Sequence, residues 1–562
     1  MVSTELATGR HRRAEISSLS SLVTVGFVVA VAAVLGVAHA WTADDGFITF
    51  RVARNIAQGH GPVFNMGERV EASTSPLWTW MLGLVAWITP HSLETWAAVI
   101  AITLACGGLL LMMLGCLRGE PRDGRVVLPG AVIILLSLRS FWEFETSGLD
   151  IALSIFWVGL AWLVSVRAVS GIRRDLLVAA GVLGLAAVIR AELILAAAIV
   201  LAVLVRSARR DETPRSRSHW LVPLAIFIAP GAAYEVFRMV YYAALVPTTA
   251  LAKEGSRLRL DMVGLHYLWV SLALTLAFIP ALCLALFRSG LRSGPKNLTW
   301  AFVAAGLVEA AYVVGVGGDY MIGRLLLPAV ALLVAPFAVL RLEPKWVAPA
   351  VVLLSAATIV PPIAQLHTLP NPVTNFGAKK NWLVQEARYL QHQTKVRRPI
   401  GLHDYAQSYV LADLVKSYAP YGRLAEPDGH WRPLPNATDQ SIVTTTILGL
   451  TGYVFPSEVY VIDLNGLADP VTARIRLDHR GRPGHEKRMG DSFNAIRYGV
   501  ETTTEAPKPD VCADIKRLYE DVRAPLSWHR AWTNILHAFG NTTMRLRIRD
   551  AAGVCAPRVG LR

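Results

Sequence analysis

The chain has 562 residues, 53% of them apolar, with a mean hydropathy of +0.42 and a formal charge of +14. That is too apolar for a soluble enzyme, and long enough for several membrane spans beside a separate polar domain. Much of the positive charge is arginine in short loops between apolar runs, where anionic headgroups attract it, so membrane lipids are expected partners and nucleic acid is not.

In chain order, an arm with Arg10, Arg12 and Arg13 leads into an apolar run at residues 19 to 40. The run has no small-residue cleavage site and reads as an anchor rather than a removed signal. It ends at Trp41-Thr-Ala-Asp44-Asp45-Gly46. Two adjacent carboxylates there read either as a helix stop and cap or as a functional site, because ionised groups are costly to hold at a bilayer boundary.

Further apolar runs fill 96 to 117, 126 to 138, 150 to 166, 176 to 189, 193 to 205, 220 to 243, 263 to 287, 298 to 316, 325 to 340 and 346 to 365. Residues 77 to 90, between Pro76 and Pro90, are also apolar, and charge decides whether they cross. If they do not, the arm shares one side with Arg118/Arg122/Arg125, Arg167/Arg173/Arg174, the arginines between 206 and 217, Arg288/Arg292/Lys296 and Arg341/Lys345. That is the positive-inside pattern. The sequence therefore predicts a re-entrant or interfacial element at 77 to 90, eleven spans and a cytoplasmic start.

Residues 366 to 562 are polar, Pro-rich and of mixed charge, and with eleven spans they lie outside the cytoplasm. A helical pattern at 379 to 395, strand-like stretches at 399 to 402 and 458 to 462, and a second helix at 511 to 522 predict an α/β domain. The expected fold is thus a polytopic α-helical membrane protein over residues 1 to 365 with a C-terminal extracytoplasmic α/β domain. Cys106, Cys116 and Cys283 read as packing residues. Cys512 and Cys555 share the external domain, where a disulfide is permitted but not fixed by spacing.

This topology puts Asp44, Asp45, Arg51, Arg54, Glu68, Glu71, Glu143, Glu145, Asp150, Arg190, Glu192, Lys253, Glu254, Asp319 and Arg324 on the outer face. Inner loops are Arg-rich with few acids, whereas the outer span ends mix acids and bases, as a charged cavity at membrane level requires. Each group also has a plainer reading. Glu143, Glu145 and Asp150 fit a solvated loop, Arg190 and Glu192 an ion pair across a turn, and Arg324 a partner for Asp319. Gly317-Gly318-Asp319 followed by Arg324 favours function, since the double Gly lets backbone approach a ligand and the charged pair suits a metal or phosphate. Acids to activate a hydroxyl and cations for an oxyanion leaving group suit glycosyl transfer from a lipid-linked phosphate donor. There is no P-loop, HExxH or GxSxG.

The stretches Thr42 to Asn55, Gly59-His60-Gly61-Pro-Val-Phe-Asn65, Val70-Glu71-Ala-Ser-Thr-Ser-Pro76-Leu-Trp78 and Gly317-Gly318-Asp319 with Arg324 together resemble actinobacterial terminal β-(1→2) arabinofuranosyltransferases, membrane glycosyltransferases of the GT-C class. Asp463-Leu-Asn-Gly466-Leu-Ala-Asp469 and Gly481-Arg-Pro-Gly-His485-Glu486-Lys487 resemble the same family. The resemblance implies a GT-C-type bundle, a decaprenyl-phosphoryl-arabinofuranose donor, an arabinan acceptor in arabinogalactan or lipoarabinomannan, and an outer-face active site. Asp44 and Asp45 are the catalytic candidates, and Arg324, Lys253 and His485 those for the donor phosphate. Glu71, Asp319, Arg190 and Glu192 are the substrate-binding candidates. The cofactor stays open, a divalent cation being the candidate. Arg190-Ala191-Glu192 departs from the family's Arg-Pro-acid form. The resemblance implies that donor and product are both β, so that a single-base inverting scheme does not describe the transfer.

Competing readings are a GT-C enzyme for polyprenyl-phosphate mannose or aminoarabinose, a non-catalytic membrane protein linked to flagellar motor control, and a transporter. For the last there is neither an inverted repeat nor a broken midplane helix. The topology itself is testable: Glu120→Cys and Tyr320→Cys should label from opposite sides of intact cells, position 320 from outside. External labelling at position 120 means that 77 to 90 spans.

Overall fold

The computed structural model describes residues 2–89, 93–118, 125–208, 218–254, 264–269, 271, 295–319, 321–352, 423–425, 431–433, 441–477, 487 and 509–547. The principal elements, in order, are α1 (Val2–Ala38), α2 (Asp44–Ala57), α3 (Pro76–Ile88), α4 (Leu93–Leu117), β1 (Val126–Pro129), α5 (Ile151–Ala168), α6 (Ser218–Tyr242), α7 (Thr248–Lys253), α8 (Lys296–Gly315) and β2 (Val339–Leu342). In the C-terminal part follow β3 (Arg423–Ala425), β4 (Trp431–Pro433), β5 (Ile442–Thr445), α9 (Leu448–Val454), β6 (Tyr460–Asp463), α10 (Pro509–Arg523) and α11 (Trp528–Thr543).

Five helices among the described residues are long and apolar enough to cross a membrane: Leu19–Ala38, Leu93–Leu117, Ile151–Ala168, Trp220–Tyr242 and Lys296–Gly315. The chain is a helical membrane protein. Other expected spans differ. The run at 126 to 138 starts as a strand and becomes helical only at Val132–Ser137. Pro129 and Gly130 separate the two, and Gly130 lies so close to Phe337 that a Cβ there would meet its carbonyl oxygen at 2.5 Å. The run at 325 to 340 likewise ends in strand β2, so neither is a single helix. The segment 176 to 189 is helix Arg173–Gly184 followed by one turn, and 193 to 205 is the 16-residue helix Leu193–Ala208. Most of 263 to 287 and 346 to 365 falls outside the described residues. Helix α3 has 13 residues, a length of about 20 Å against about 30 Å of bilayer core.

The chain divides into two compact units. One comprises Met1–Trp41, Ala98–Gly231 and Arg259–Arg397. Within it α4 and α5 meet through glycines: a Cβ on Gly159 would collide with the Gly108 carbonyl, and one on Gly108 would lie 2.7 Å from the Ile155 carbonyl oxygen. Small residues let helices approach where apolar contact alone gives little drive, as in lipid. The antiparallel pair β1 and β2 is tied to α1 by Thr24 Oγ1, which donates to Val127 O at 2.8 Å.

The second unit comprises Thr42–Ala97, Ala232–Leu258 and Arg398–Arg562, so C-terminal residues share it with the segment that follows the first span. Its sheet has the order β4-β3-β5-β6, with β3 and β4 antiparallel and the other pairs parallel. Ile48 and Val52 of α2, Phe64, Val443 of β5, Leu448 of α9, Phe455 and Val461 of β6 form one core. Ile515, Leu518, Tyr519 and Val522 of α10 pack in another with Val471 and Ile475. The expected strand at 458 to 462 and helix at 511 to 522 correspond to β6 and α10. The helix at 379 to 395, the strand at 399 to 402 and the boundary at 365 to 366 lie outside the described residues. Cys512 is disulfide-bonded.

Candidate active site

Asp44 and Asp45 open α2, where Ala43 turns the chain into the helix from extended backbone. Acids in a first turn suit the positive end of the helix dipole. Asp44 does more than begin its own helix. Its carboxylate accepts the backbone N–H of Leu450 at 2.7 Å and of Gly449 at 3.2 Å, so it caps the first turn of α9. Gly449 is needed there, because a Cβ would strike the Asp44 carbonyl oxygen. Burial pushes the Asp44 carboxyl up to about 6, opposed by the Leu450 and Gly449 amides and reinforced by Asp45.

Arg51 and Arg54, which the sequence places among the outer-face charges, turn their guanidinium groups to backbone carbonyls. Arg51 is fully buried; it donates to Phe64 O at 2.8 Å, to Val459 O at 2.7 Å and to Gly452 O. Arg54 donates to Tyr453 O at 2.9 Å and Phe455 O at 2.6 Å. The Tyr453 ring packs on Phe47 and Phe50, and its hydroxyl donates to Glu94 at 3.1 Å. After α2 the chain is pinned by amides. Asn55 Nδ2 donates to Val63 O at 2.7 Å, and Asn65 pairs both ways with Val461 of β6, at 2.9 and 3.0 Å. Glu68 meets Arg523 at 2.6 Å and accepts from the Tyr460 hydroxyl.

Glu71 is buried and held by Arg238 Nε and Tyr234 OH, both at 2.7 Å, and its carbonyl accepts from Thr248 N at the start of α7. Lys253 ends α7. Lys487, buried, donates to Leu251 O of α7 and to Ala473 O, each at 2.7 Å. The 463 to 469 motif is a tightly bonded turn. Asp463 accepts from the amides of Asn465 and Ala468, and Asp469 from those of Val471 and Thr472. Gly466 has φ +82°, and a Cβ would lie 2.7 Å from Ala473 N. Burial pushes the Asp463 carboxyl up to about 7, against its amide bonds. His485 lies outside the described residues.

In the other unit Arg190 pairs with Glu192 at 2.5 Å and with Asp150 at 3.5 Å. Asp319 and Arg324, both buried, form a direct ion pair. Gly317 and Gly318 take φ values of +85° and +72°, and a Cβ on Gly318 would strike the Tyr267 ring. The solvated-loop reading of Glu143, Glu145 and Asp150 does not hold, because all three are buried. Burial alone pushes Glu145 up to about 8, and among the described residues neither of its carboxyl oxygens accepts a hydrogen bond. Three groups escaped the sequence reading: Tyr234, Arg238 and Glu235 around Glu71. The signal was present, since two charges inside the apolar run 220 to 243 mark a polar face within a span. Among the described residues no group of three or more His, Cys, Asp and Glu side chains is placed to hold a metal ion.

Comparison with known proteins adds the chemistry. Residues 430–553 match the AftB family C-terminal domain. A "Terminal beta-(1->2)-arabinofuranosyltransferase" of Corynebacterium glutamicum is 30% identical, over 91% of this chain and 83% of that protein. A protein of the same description from Mycobacterium tuberculosis is 29% identical, over 90% and 92%. No solved structure matches the chain. The chain is therefore a glycosyltransferase of the helical membrane class. It belongs to the terminal beta-(1→2)-arabinofuranosyltransferase family.

The Asp44 geometry has a pH signature. Its carboxyl titrates at 3.8 in an ordinary setting and at about 6 here. Between these values the unfolded chain has lost a proton that the fold keeps, so this group's contribution to stability falls as pH rises and is level above. The thermal midpoint of the wild type relative to Asp44→Asn should drop between about pH 4 and pH 6 and stay flat beyond. A difference independent of pH would remove the buried, amide-bonded carboxyl from the account.

Proposed function

We propose that this chain transfers arabinofuranose from decaprenyl-phosphoryl-arabinofuranose to the non-reducing ends of arabinan, in arabinogalactan or lipoarabinomannan, on the outer face of the plasma membrane. The proposal includes a GT-C-type helical bundle and an extracytoplasmic C-terminal domain. Its main support is that two relatives bearing the arabinofuranosyltransferase description align over nine tenths of the chain. The acid pair held at the start of α2 is consistent with it.

In the reaction the bond from the anomeric carbon to the donor phosphate oxygen breaks, and one to an acceptor hydroxyl oxygen forms. The hydroxyl proton passes to a carboxylate, and decaprenyl phosphate leaves with the bonding pair. Asp45 is proposed as the proton acceptor, with Asp44 fixing the first turn of α2 through its bonds to α9; because the β configuration is kept, the exchange at the anomeric carbon is not a single in-line displacement. Arg324, Lys253 and His485 are assigned to the departing phosphate, and Glu71, Asp319, Arg190 and Glu192 to the sugars. Arg324 can present planar donors to two phosphate oxygens, which a lysine cannot. A divalent cation would be held by Asp45 and Asp44, and would supply charge to the departing oxygen. Carboxylate oxygens are the ligands such a cation takes, and Asp44 keeps lone pairs beyond its two amide bonds.

The direct test supplies membranes with radiolabelled decaprenyl-phosphoryl-arabinose and a synthetic arabinan. Label in a terminal β-(1→2) linkage is expected; transfer from polyprenyl-phosphate mannose instead would overturn the reading. Asp45→Asn should lower turnover at least ~10²-fold in protein that still folds, the usual scale for a lost acid or base. Arg324→Lys should raise the apparent KM for the donor far more than for the acceptor. An unchanged donor KM with a lowered thermal midpoint would make Arg324 a loop partner of Asp319 alone.

A further inference from the structure

Helix α11 has two unlike faces. Ser527 caps its start by accepting from Arg530 N at 3.1 Å. Asn534, Ala538 and Asn541 are buried. Asn534 Nδ2 donates to Val240 O at 2.8 Å, Asn541 Nδ2 donates to Ala243 O at 3.1 Å, and Leu245 N donates to Thr542 Oγ1 at 2.8 Å. These partners lie at the C-terminal end of α6, which carries the candidate span Trp220–Tyr242. The last carbonyls of a helix lack donors of their own, and Ala243 there has a left-handed φ of +52°. Helix α11 supplies donors at that point. Buried Asp521 fixes its rotation by accepting from Arg530 at 3.0 Å and from Asn541 Nδ2 at 2.9 Å, with His537 Nδ1 2.9 Å away.

The opposite face is bare. Trp528 is 95% exposed, Trp532 63%, Leu536 64% and Phe539 68%. At 3.6 residues per turn these four fall within an arc of about 80°. A face washed by water does not gather four large apolar side chains in one stripe, and such a patch marks a contact surface. Trp is enriched where bilayer meets water, and an amphipathic helix with Trp, Phe and Leu along one face suits that boundary. The position agrees with the composition: the buried face of α11 is bonded to the end of a helix that crosses the membrane, which is where the interface lies.

We propose that α11 is an interfacial membrane helix, its Trp528, Trp532, Leu536 and Phe539 face embedded at the boundary between headgroups and acyl chains. It thereby fixes the depth at which the C-terminal helices meet the lipid surface. The proposal stands independently of the sugar transferred, since it rests on the span and the two faces of α11. In the test, p-benzoylphenylalanine replaces Trp532 or, in a second variant, Phe539 in the full chain reconstituted in phospholipid nanodiscs. A third variant carries it at Lys516, an exposed position on α10. After irradiation, intact mass should show phospholipid adducts at 532 and 539, several-fold above those at 516. Equal labelling at all three positions, a covalent dimer as the main product, capture of an added arabinan instead of lipid, or no lipid adduct would each overturn it. Two separate positions guard against one variant failing to fold.

Discussion

The guanidinium of Arg51 sits wholly inside the fold, bonded to the carbonyls of Phe64, Gly452 and Val459. A charge taken out of water is tolerated only where several groups replace its hydration. Phe64 O has a second donor in Asn55 Nδ2 at 3.1 Å and Gly452 O one in Arg54 at 3.5 Å, while a buried acceptor left unpaired costs about 1–3 kcal/mol. They come from the loop after α2 and from the segment around α9, so one side chain joins both to the helix that begins with Asp44 and Asp45. Asp44 closes the same frame from its other end by capping α9. The acid pair therefore depends on the C-terminal segment for its position.

A similar economy recurs around Glu71 and Lys487. Glu71 takes Arg238 and Tyr234 from α6 and offers its carbonyl to Thr248, so the loop before α3 is tied to both α6 and α7. Lys487 then ties α7 to the turn that Asp463 and Asp469 shape. Polar groups that look like a ligand set in one dimension thus also carry the fold. A proposed role for any of them needs a readout that separates position from chemistry.

Much of the membrane half was legible because apolar runs near 20 residues have few alternatives to a spanning helix, even with Pro223 and Pro230 inside one of them. The run at 126 to 138 misled because apolarity reports burial and not backbone conformation, while Pro129-Gly130 cuts the helix short. The charges at Arg51 and Arg54 were visible, but their partners were not: backbone carbonyls have no signature in sequence. Those arginines therefore read as cavity lining until Gly452, Phe455 and Val459 were placed beside them. Arg238 is legible in principle, as a charge inside an apolar run, but the run's overall apolarity masks it. The Asp pair was legible because two adjacent carboxylates end an apolar run of spanning length, whereas the bond of Asp44 to Gly449 joins points far apart in the chain.

The dependence of the acid pair on its frame is tested most directly by the turnover of Arg51→Lys, measured in membranes with radiolabelled donor at matched protein level. A single ammonium does not reproduce the planar fork that serves Phe64, Gly452 and Val459 together. With at least one buried carbonyl left unpaired, turnover should fall by about tenfold or more in chains that remain membrane-inserted. Wild-type turnover in that variant would contradict the account, because the acid pair would then work without the frame described for it.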